Sequence, residues 1–258
     1  MSSGYEKAMY FRSLHVRGQP LVLFNVWDVG SAKAVEGAGA RALATGSWSV
    51  AKANGYDDGE RVPLDFAIEN LARIARATEL PVTVDLESGY GVGAENVGWT
   101  VERSIDAGAV GCNLEDSDPA TGSLRAIDAQ VERIAHARKA ADAKELPYFI
   151  NVRSDPFFVR SEALANDDER IAEVLKRAKA YAAAGADGLF VPGLADAVLI
   201  RKVADGSSLP LNIMVSDKTP PLRELGSLGV ARVSHGPRPY LAMMKKLQEA
   251  AREAMEKV

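Results

Sequence analysis

The sequence predicts a (β/α)8 barrel of the TIM type, an α/β fold in a single domain. Two observations carry this. Eight short apolar runs recur along 258 residues, and each is followed by a segment with helical apolar spacing. Strand–helix alternation gives a parallel sheet, and eight units in about 250 residues is the usual size of a barrel. A doubly wound open sheet is the competing arrangement, and the count of eight favours the barrel.

The expected strands are LVLFNV (21–26), RALATG (41–46), PVTVDLE (81–87), VGCNLED (110–116), YFINVRS (148–154), GLFVPG (188–193), PLNIMV (210–215) and ARVSHG (231–236). The segments 31–39, 64–78, 94–108, 127–141 and 167–185 pair helical periodicity with Ala, Glu, Arg and Lys. Several close on glycine, a C-cap signal. Shorter helices are expected near 195–204 and 220–228. A long amphipathic helix follows, with Leu241, Met244, Leu247 and Ala251 at helical spacing. No linker or composition shift marks a second domain, so residues 1–258 read as one.

The composition narrows the function. Hydrophobic residues make up 47% and charged residues 26%, as in soluble globular proteins. The net charge of −4 supplies no basic field for nucleic acid or anionic lipid. The single cysteine, Cys112, excludes an internal disulfide and a Cys-based zinc site and suits a reducing compartment. Inside a strand, it reads as a small buried hydrophobe. No signal-peptide-like run opens the chain and no stretch is long and apolar enough for a membrane span, so a cytoplasmic protein is expected.

Barrel chemistry sits at the C-terminal strand ends. The third strand ends in VDLESGYG, where Asp85 and Glu87 alternate and so share a face. Asn113 and Glu115 do the same on the fourth strand. Three carboxylates converging on one mouth would repel each other, and a hard divalent cation resolves the conflict. Mg2+ suits oxygen ligands and leaves positions for a substrate, with Mn2+ the alternative. Arg153 is the one cation at a strand end. Each acid taken alone could instead cap a helix or pair with an arginine.

In order, NVWDVGSA, TGSWSVAKANGYDDG, VDLESGYG, CNLEDS and NVRSD resemble the phosphoenolpyruvate mutase/isocitrate lyase superfamily from about residue 20 to 236. The resemblance implies a Mg2+-dependent enzyme that makes or breaks a C–C or P–C bond beside a 2-oxo or 2-hydroxy acid. It implies that Asp85 is the direct metal ligand, that Glu87 and Glu115 hold metal-bound waters, and that Asp58 lies near the metal. Gly46, Ser47 and Trp48 fall where members bind the substrate carboxylate, and Arg153 where an arginine grips substrate oxygens. Asn113 is expected beside the substrate. Asn25, Trp27 and Asp28 belong to the first-strand motif. Tyr90 and Trp48 either wall the site or pack over the barrel end.

Two departures narrow the reaction. Isocitrate and methylisocitrate lyases carry a Lys-(Lys/Arg)-Cys-Gly-His loop after strand 4, where this chain has EDSDPATGSLRAID. Phosphoenolpyruvate mutases and phosphonopyruvate hydrolases carry a lysine soon after the Glu-Asp, where Ser117 stands here. What remains resembles the oxaloacetate decarboxylase-like branch. It implies cleavage of a small 2-oxo or 2-hydroxy (di)carboxylate through a metal-stabilised enolate. Phosphonate chemistry or (methyl)isocitrate lyase-like cleavage is the alternative, and a carboxylate-binding barrel without turnover is the non-enzyme alternative. His235 at the end of strand 8 is the candidate proton donor, with a histidine that caps a loop backbone as the other reading. His15 and His136 are expected on surface helices. Residues 155–166, with two adjacent aromatics, are expected to form a flap. Superfamily members exchange the last helix between subunits, so a homodimer or homotetramer through residues 239–258 is expected.

Overall fold

The eight strands all run parallel, in the ring order β1-β8-β7-β6-β5-β4-β3-β2. They are β1 (Leu21–Leu23), β2 (Leu43–Ala44), β3 (Val82–Asp85), β4 (Gly111–Glu115), β5 (Phe149–Arg153), β6 (Gly188–Val191), β7 (Leu211–Met214) and β8 (Arg232–Ser234). A computed structural model describes residues 3–159 and 161–256. Seven of the joints are strand ladders. The eighth, between β1 and β2, is a single parallel bridge from Val26 to Thr45. The expected (β/α)8 barrel is therefore present and nearly closed.

Ten α-helices lie among the described residues. They are α1 (Gly4–Ser13), α2 (Val29–Gly37), α3 (Ser47–Ala53), α4 (Leu64–Arg76), α5 (Ala94–Asp106), α6 (Ile127–Ala143), α7 (Asp167–Ala183), α8 (Ala197–Gly206), α9 (Leu222–Ser227) and α10 (Arg238–Met255). The glycine stops act as read. Gly108 and Gly185 sit at φ +102 and +104, where a Cβ would come within 2.9 Å of Ala75 and Arg138 side-chain atoms; such positions favour glycine. The first-strand run is shorter than expected because the Asn25 side chain takes over from the ladder, as described below.

The strands separate two cores. Outward residues such as Leu114, Ile150, Val152, Leu189 and Ile213 pack against the helices in one large apolar cluster. Cys112 is buried there as a free thiol, as expected. The inward cluster is small. It joins Leu21, Leu23, Ala42, Ala44 and Phe149 to Ala8 and Phe11 of α1. Helix α1 therefore plugs the bottom of the barrel, opposite the strand ends that carry function.

Here a sequence expectation fails. His15 is not on a surface helix; it lies 3.9 Å from the Phe149 ring in a stacked pair, with its Nδ1 against the Phe11 carbonyl. Burial, then Arg232, push its pKa down to about 3. His136 is exposed, as expected.

Only Pro239 of α10 is buried. Leu241, Met243, Met244 and Leu247 are exposed, as are Val22 and Phe24 on the outer face of the barrel near β1. No described helix is long and apolar enough to cross a membrane.

Candidate active site

The strand ends surround a cavity of about 260 Å³. Its walls include Gly46, Ser47, Trp48, Asp58, Asp85, Asn113 and Arg153, so most of the residues expected at the site meet there. Alternation along β3, β4 and β5 puts Asp85, Asn113 and Arg153 on the inward face. Phe190, Pro192 and Met214 line the β6–β7 side, giving one charged and one apolar wall.

Asp85 is fixed from β2. Its Oδ2 accepts from the Ser47 backbone N–H at 3.2 Å and the Ser47 hydroxyl at 3.0 Å. Its own N–H donates to Thr45 Oγ1 at 3.0 Å. The Ser47 pair works because α3 starts there, leaving the first helical N–H groups free for an anion. Asp58 belongs to an exposed loop, with its carboxyl at the mouth. Burial, then Asp85, raise its pKa.

Glu87 clasps two loops together. Its Oε2 accepts from the N–H groups of Gly59 at 2.8 Å and Glu60 at 2.6 Å. In return Glu60 Oε1 accepts from Ser88 Oγ at 2.6 Å and the Tyr90 N–H at 2.8 Å. Glu60, Glu87 and Tyr90 all have left-handed backbones, at φ 59, 51 and 56. Non-glycine residues hold that geometry only where surrounding contacts enforce it. Burial, then Asp58 and Asp85, push Glu87 up to about 8. Tyr90 does not wall the mouth. It borders a second chamber of about 20 Å³ with Thr45, Ser47, Asp85 and Glu87, large enough for one water.

Arg153 is held from both sides, Nη1 to Glu115 Oε2 and Nε to Asp155 Oδ1, each at 2.7 Å. Its guanidinium lies 4.7 Å from the Phe158 ring centre. Burial opposes its charge, but Glu115 and Asp155 together raise its pKa above the ordinary value. Burial pushes Glu115 up to about 8 against the pull of Arg153. Behind this group Asp116 accepts from the Asp155 N–H (2.9 Å), Ser154 Oγ (3.1 Å), Arg177 Nη1 (3.1 Å) and Tyr181 Oη (2.8 Å). Arg177 and Tyr181 had no sequence signal, because helix α7 reads as an ordinary amphipathic helix.

Trp48 is in the wall and meets Tyr240 of α10 edge-on at 6.0 Å, beside Trp27 at 5.1 Å. Asn25 ties the seam. Its Nδ2 donates to the Thr45 carbonyl at 3.0 Å, while Oδ1 accepts from the N–H groups of His235 at 3.0 Å and Gly236 at 2.8 Å. Asp28 is the N-cap of α2, accepting from the Ser31 N–H at 2.7 Å.

His235 is a correction. Ser234 faces the cavity, so strand alternation sends His235 outward, where its ring packs on Phe24 at 4.9 Å. It is not placed to give a proton in the mouth. The expected flap has a described part: Phe158 lines the cavity and a 3-10 turn spans Glu162–Leu164. Arg160 lies outside the described residues.

The donor set fits a hard cation. Asp58, Glu87 and Glu115 all have raised pKa values, from burial and from crowding with Asp85 and one another, so a positive charge would relieve the mouth. Among the described residues no three His, Cys, Asp or Glu side chains form a ready cage. Mg2+ is held by one or two carboxylates and keeps several waters, and Asp58 and Asp85 are the carboxylates that line the cavity.

Fold and mouth together define a class, a (β/α)8 barrel that gathers charged and polar side chains at the C-terminal ends of its strands. The family model described as phosphoenolpyruvate phosphomutase matches residues 11–255, and the chain belongs to that family. The 2-methylisocitrate lyase of Escherichia coli (strain K12) is 31% identical over 220 residues, 81% of this chain and 71% of that enzyme. An oxaloacetate decarboxylase of Ectopseudomonas mendocina (strain ymp) is 32% identical over 208 residues, 77% of this chain and 67% of that enzyme. A crystal structure from Burkholderia cenocepacia J2315, provisionally described as a phosphonomutase, is 56% identical with a TM-score of 0.94, covering 98% of this chain and 100% of its own. The family thus joins lyases, decarboxylases and mutases on one scaffold.

Proposed function

We propose that the mouth is the active site of a Mg2+-dependent carbon–carbon lyase or decarboxylase. Its substrate is a small 2-oxo or 2-hydroxy (di)carboxylate, and oxaloacetate decarboxylation is the reaction to test first. The observation that carries the reading is Asp85, held by both Ser47 donors on the charged wall that also carries Arg153.

In this reading Asp85 would be the direct ligand, Glu87 and Glu115 would hold the ion's waters, and Asp58 would lie near it. Bound there, Mg2+ would supply Lewis-acid stabilisation for negative charge developing on the substrate. Gly46 and Trp48 would orient the substrate carboxylate beside Ser47, whose own N–H and hydroxyl are engaged by Asp85. Arg153 offers the remainder of its fork to substrate oxygens, its Nε and Nη1 being fixed by Asp155 and Glu115. The short loop after β4 is tied down by the Ser117–Leu124 bridge and the Arg125–Asp118 ion pair at 3.1 Å. It carries neither Cys nor His, so thiol-dependent lyase chemistry has no donor in that loop.

A phosphorus–carbon bond enzyme is the second reading, favoured by the likeness to the Burkholderia structure. Against it, Ser117 stands where a lysine is expected and gives its hydroxyl to Asp155 at 2.8 Å. The exposed apolar residues of α10 and of β1 support a homodimer or homotetramer in which that helix packs on a second copy, in the cytoplasm.

The test is pyruvate formation from oxaloacetate with Mg2+, metal-only background subtracted, in wild type and Asp85→Ala. Turnover present in wild type and lost in the variant supports the reading. Wild type no faster than background rules out decarboxylation, and phosphate release from phosphonopyruvate then decides for the second reading.

A further inference from the structure

Arg232 is the most unusual side chain in the barrel. It lies on the inward face of β8, 1% exposed. Among the described residues its guanidinium makes one hydrogen bond, from Nη2 to Asn113 Oδ1 at 3.0 Å. Its Nε and Nη1 have no partner. Burial pulls its pKa down to about 9, with Asp85 the carboxylate that most opposes this. A buried cation with one neutral partner is a heavy stability cost, and an apolar side chain would fill the space more cheaply.

What the arginine does is fix an amide. Asn113 Oδ1 accepts a second hydrogen bond, from Asn151 Nδ2 at 2.9 Å. The two donors fill the carbonyl oxygen's acceptor sites. Two asparagines alone could both turn over and keep a hydrogen bond, because each end of a carboxamide can pair with the other. Arginine only donates, so the atom facing it must be oxygen. Asn113 lines the mouth beside Asp85 and Arg153. With Oδ1 turned toward the barrel centre, Nδ2 is the end left for the cavity, and no described group accepts from it.

We propose that Arg232 is a positioning residue: it locks the Asn113 carboxamide so that Nδ2 donates into the mouth, to an oxygen of the bound 2-oxo or 2-hydroxy acid. This rests on the function proposed above. A fixed donor aimed where negative charge develops is worth far more than a mobile one. The charge on Arg232 is the price of an amide that cannot flip.

The test uses the full chain, with oxalate as probe and Mg2+ present, read by calorimetric titration and thermal melting. Asn113→Asp separates the roles. It gives Arg232 a buried ionic partner, so its Tm should equal or exceed that of wild type, while oxalate binding should weaken by about tenfold or more through loss of the donor. Arg232→Met should weaken oxalate by a similar factor, and Arg232→Lys, which also only donates, should recover most of it. A merely structural Arg232 would lower Tm and leave oxalate affinity of the folded protein unchanged. If Arg232→Met does not fold, Arg232→Gln takes its place, since its neutral amide can accept as well as donate and so no longer fixes which end of Asn113 faces it. Oxalate bound equally by wild type and Asn113→Asp overturns this inference alone. Wild type with no Mg2+-dependent oxalate binding overturns the proposed function and this inference with it.

Discussion

The two faces of the sheet solve different problems. The outer face meets the helices through aliphatic side chains such as Leu114, Ile150 and Leu189, all fully buried. The inner face carries Thr83, Asn113, Asn151, Asn212 and Arg232 at the same depth, where barrels of this type mostly stack branched apolar residues. The outer layer gives stability that does not depend on direction. The inner layer gives up some of that stability for polar groups whose orientations are fixed, and those groups support the floor of the mouth.

The sharpest break between the layers is Asp85→Ala. On the proposed function it should lower turnover by about a thousandfold or more, since Asp85 would hold the ion that stabilises the developing charge. Tm without Mg2+ should change little or rise, because a crowded carboxylate is gone. The stabilisation that Mg2+ gives wild type in thermal melts should vanish.

The converse is Ile134→Ala in α6, fully buried in the outer core. It should cost about 2–5 kcal/mol of stability in denaturant titration, with kcat of the folded protein unchanged. A loss of kcat without loss of stability would mean that the two layers do not divide the work as described.

His15 tests the inner layer's floor through pH. The imidazole is neutral when folded, with its pKa at about 3 against 6.5 for the ordinary group. As pH falls the unfolded chain takes up this proton first. Its contribution is therefore complete above pH 6.5 and is lost between 6.5 and 3, by up to about 1.4 kcal/mol per pH unit. Melting curves from pH 7.5 to 4.5 should show a slope that His15→Phe reduces by one proton's worth.

The smallest effect belongs to Asp28, whose helix cap lies outside both layers. Asp28→Ala should cost about 1 kcal/mol and leave kcat alone. A tenfold drop in kcat would bring the first-strand motif into the chemistry.

The outer layer was legible because its signal is periodic. Helices 64–78 and 127–141 were expected and appear as Leu64–Arg76 and Ile127–Ala143. Asp85, Asn113 and Arg153 were legible as strand-end polar residues, and all line one cavity. Arg232 was not. An arginine at the start of a strand reads as a solvated residue, and its partner Asn113 is 119 positions away. His235 shows the opposite error: chemical suitability drew attention to a side chain that the two-residue period of β8 sends outward. Helix α1 read as surface because nothing in it announces that Phe11 meets Phe149 edge-on at 5.7 Å.

The seam between β1 and β2 has a mechanical consequence. Seven joints of the ring are laced by continuous ladders, and the eighth is a latch of Val26, Thr45 and the Asn25 amide. The joint with the fewest hydrogen bonds is where the ring is expected to open first. Thr45, Gly46 and Ser47 lie on the β2 side of that latch, so an opening there would shift Ser47 and with it the two donors that hold Asp85. The amide protons of Val26 and Gly46, bonded across the gap at 2.9 and 3.2 Å, are where deuterium would enter the ring first.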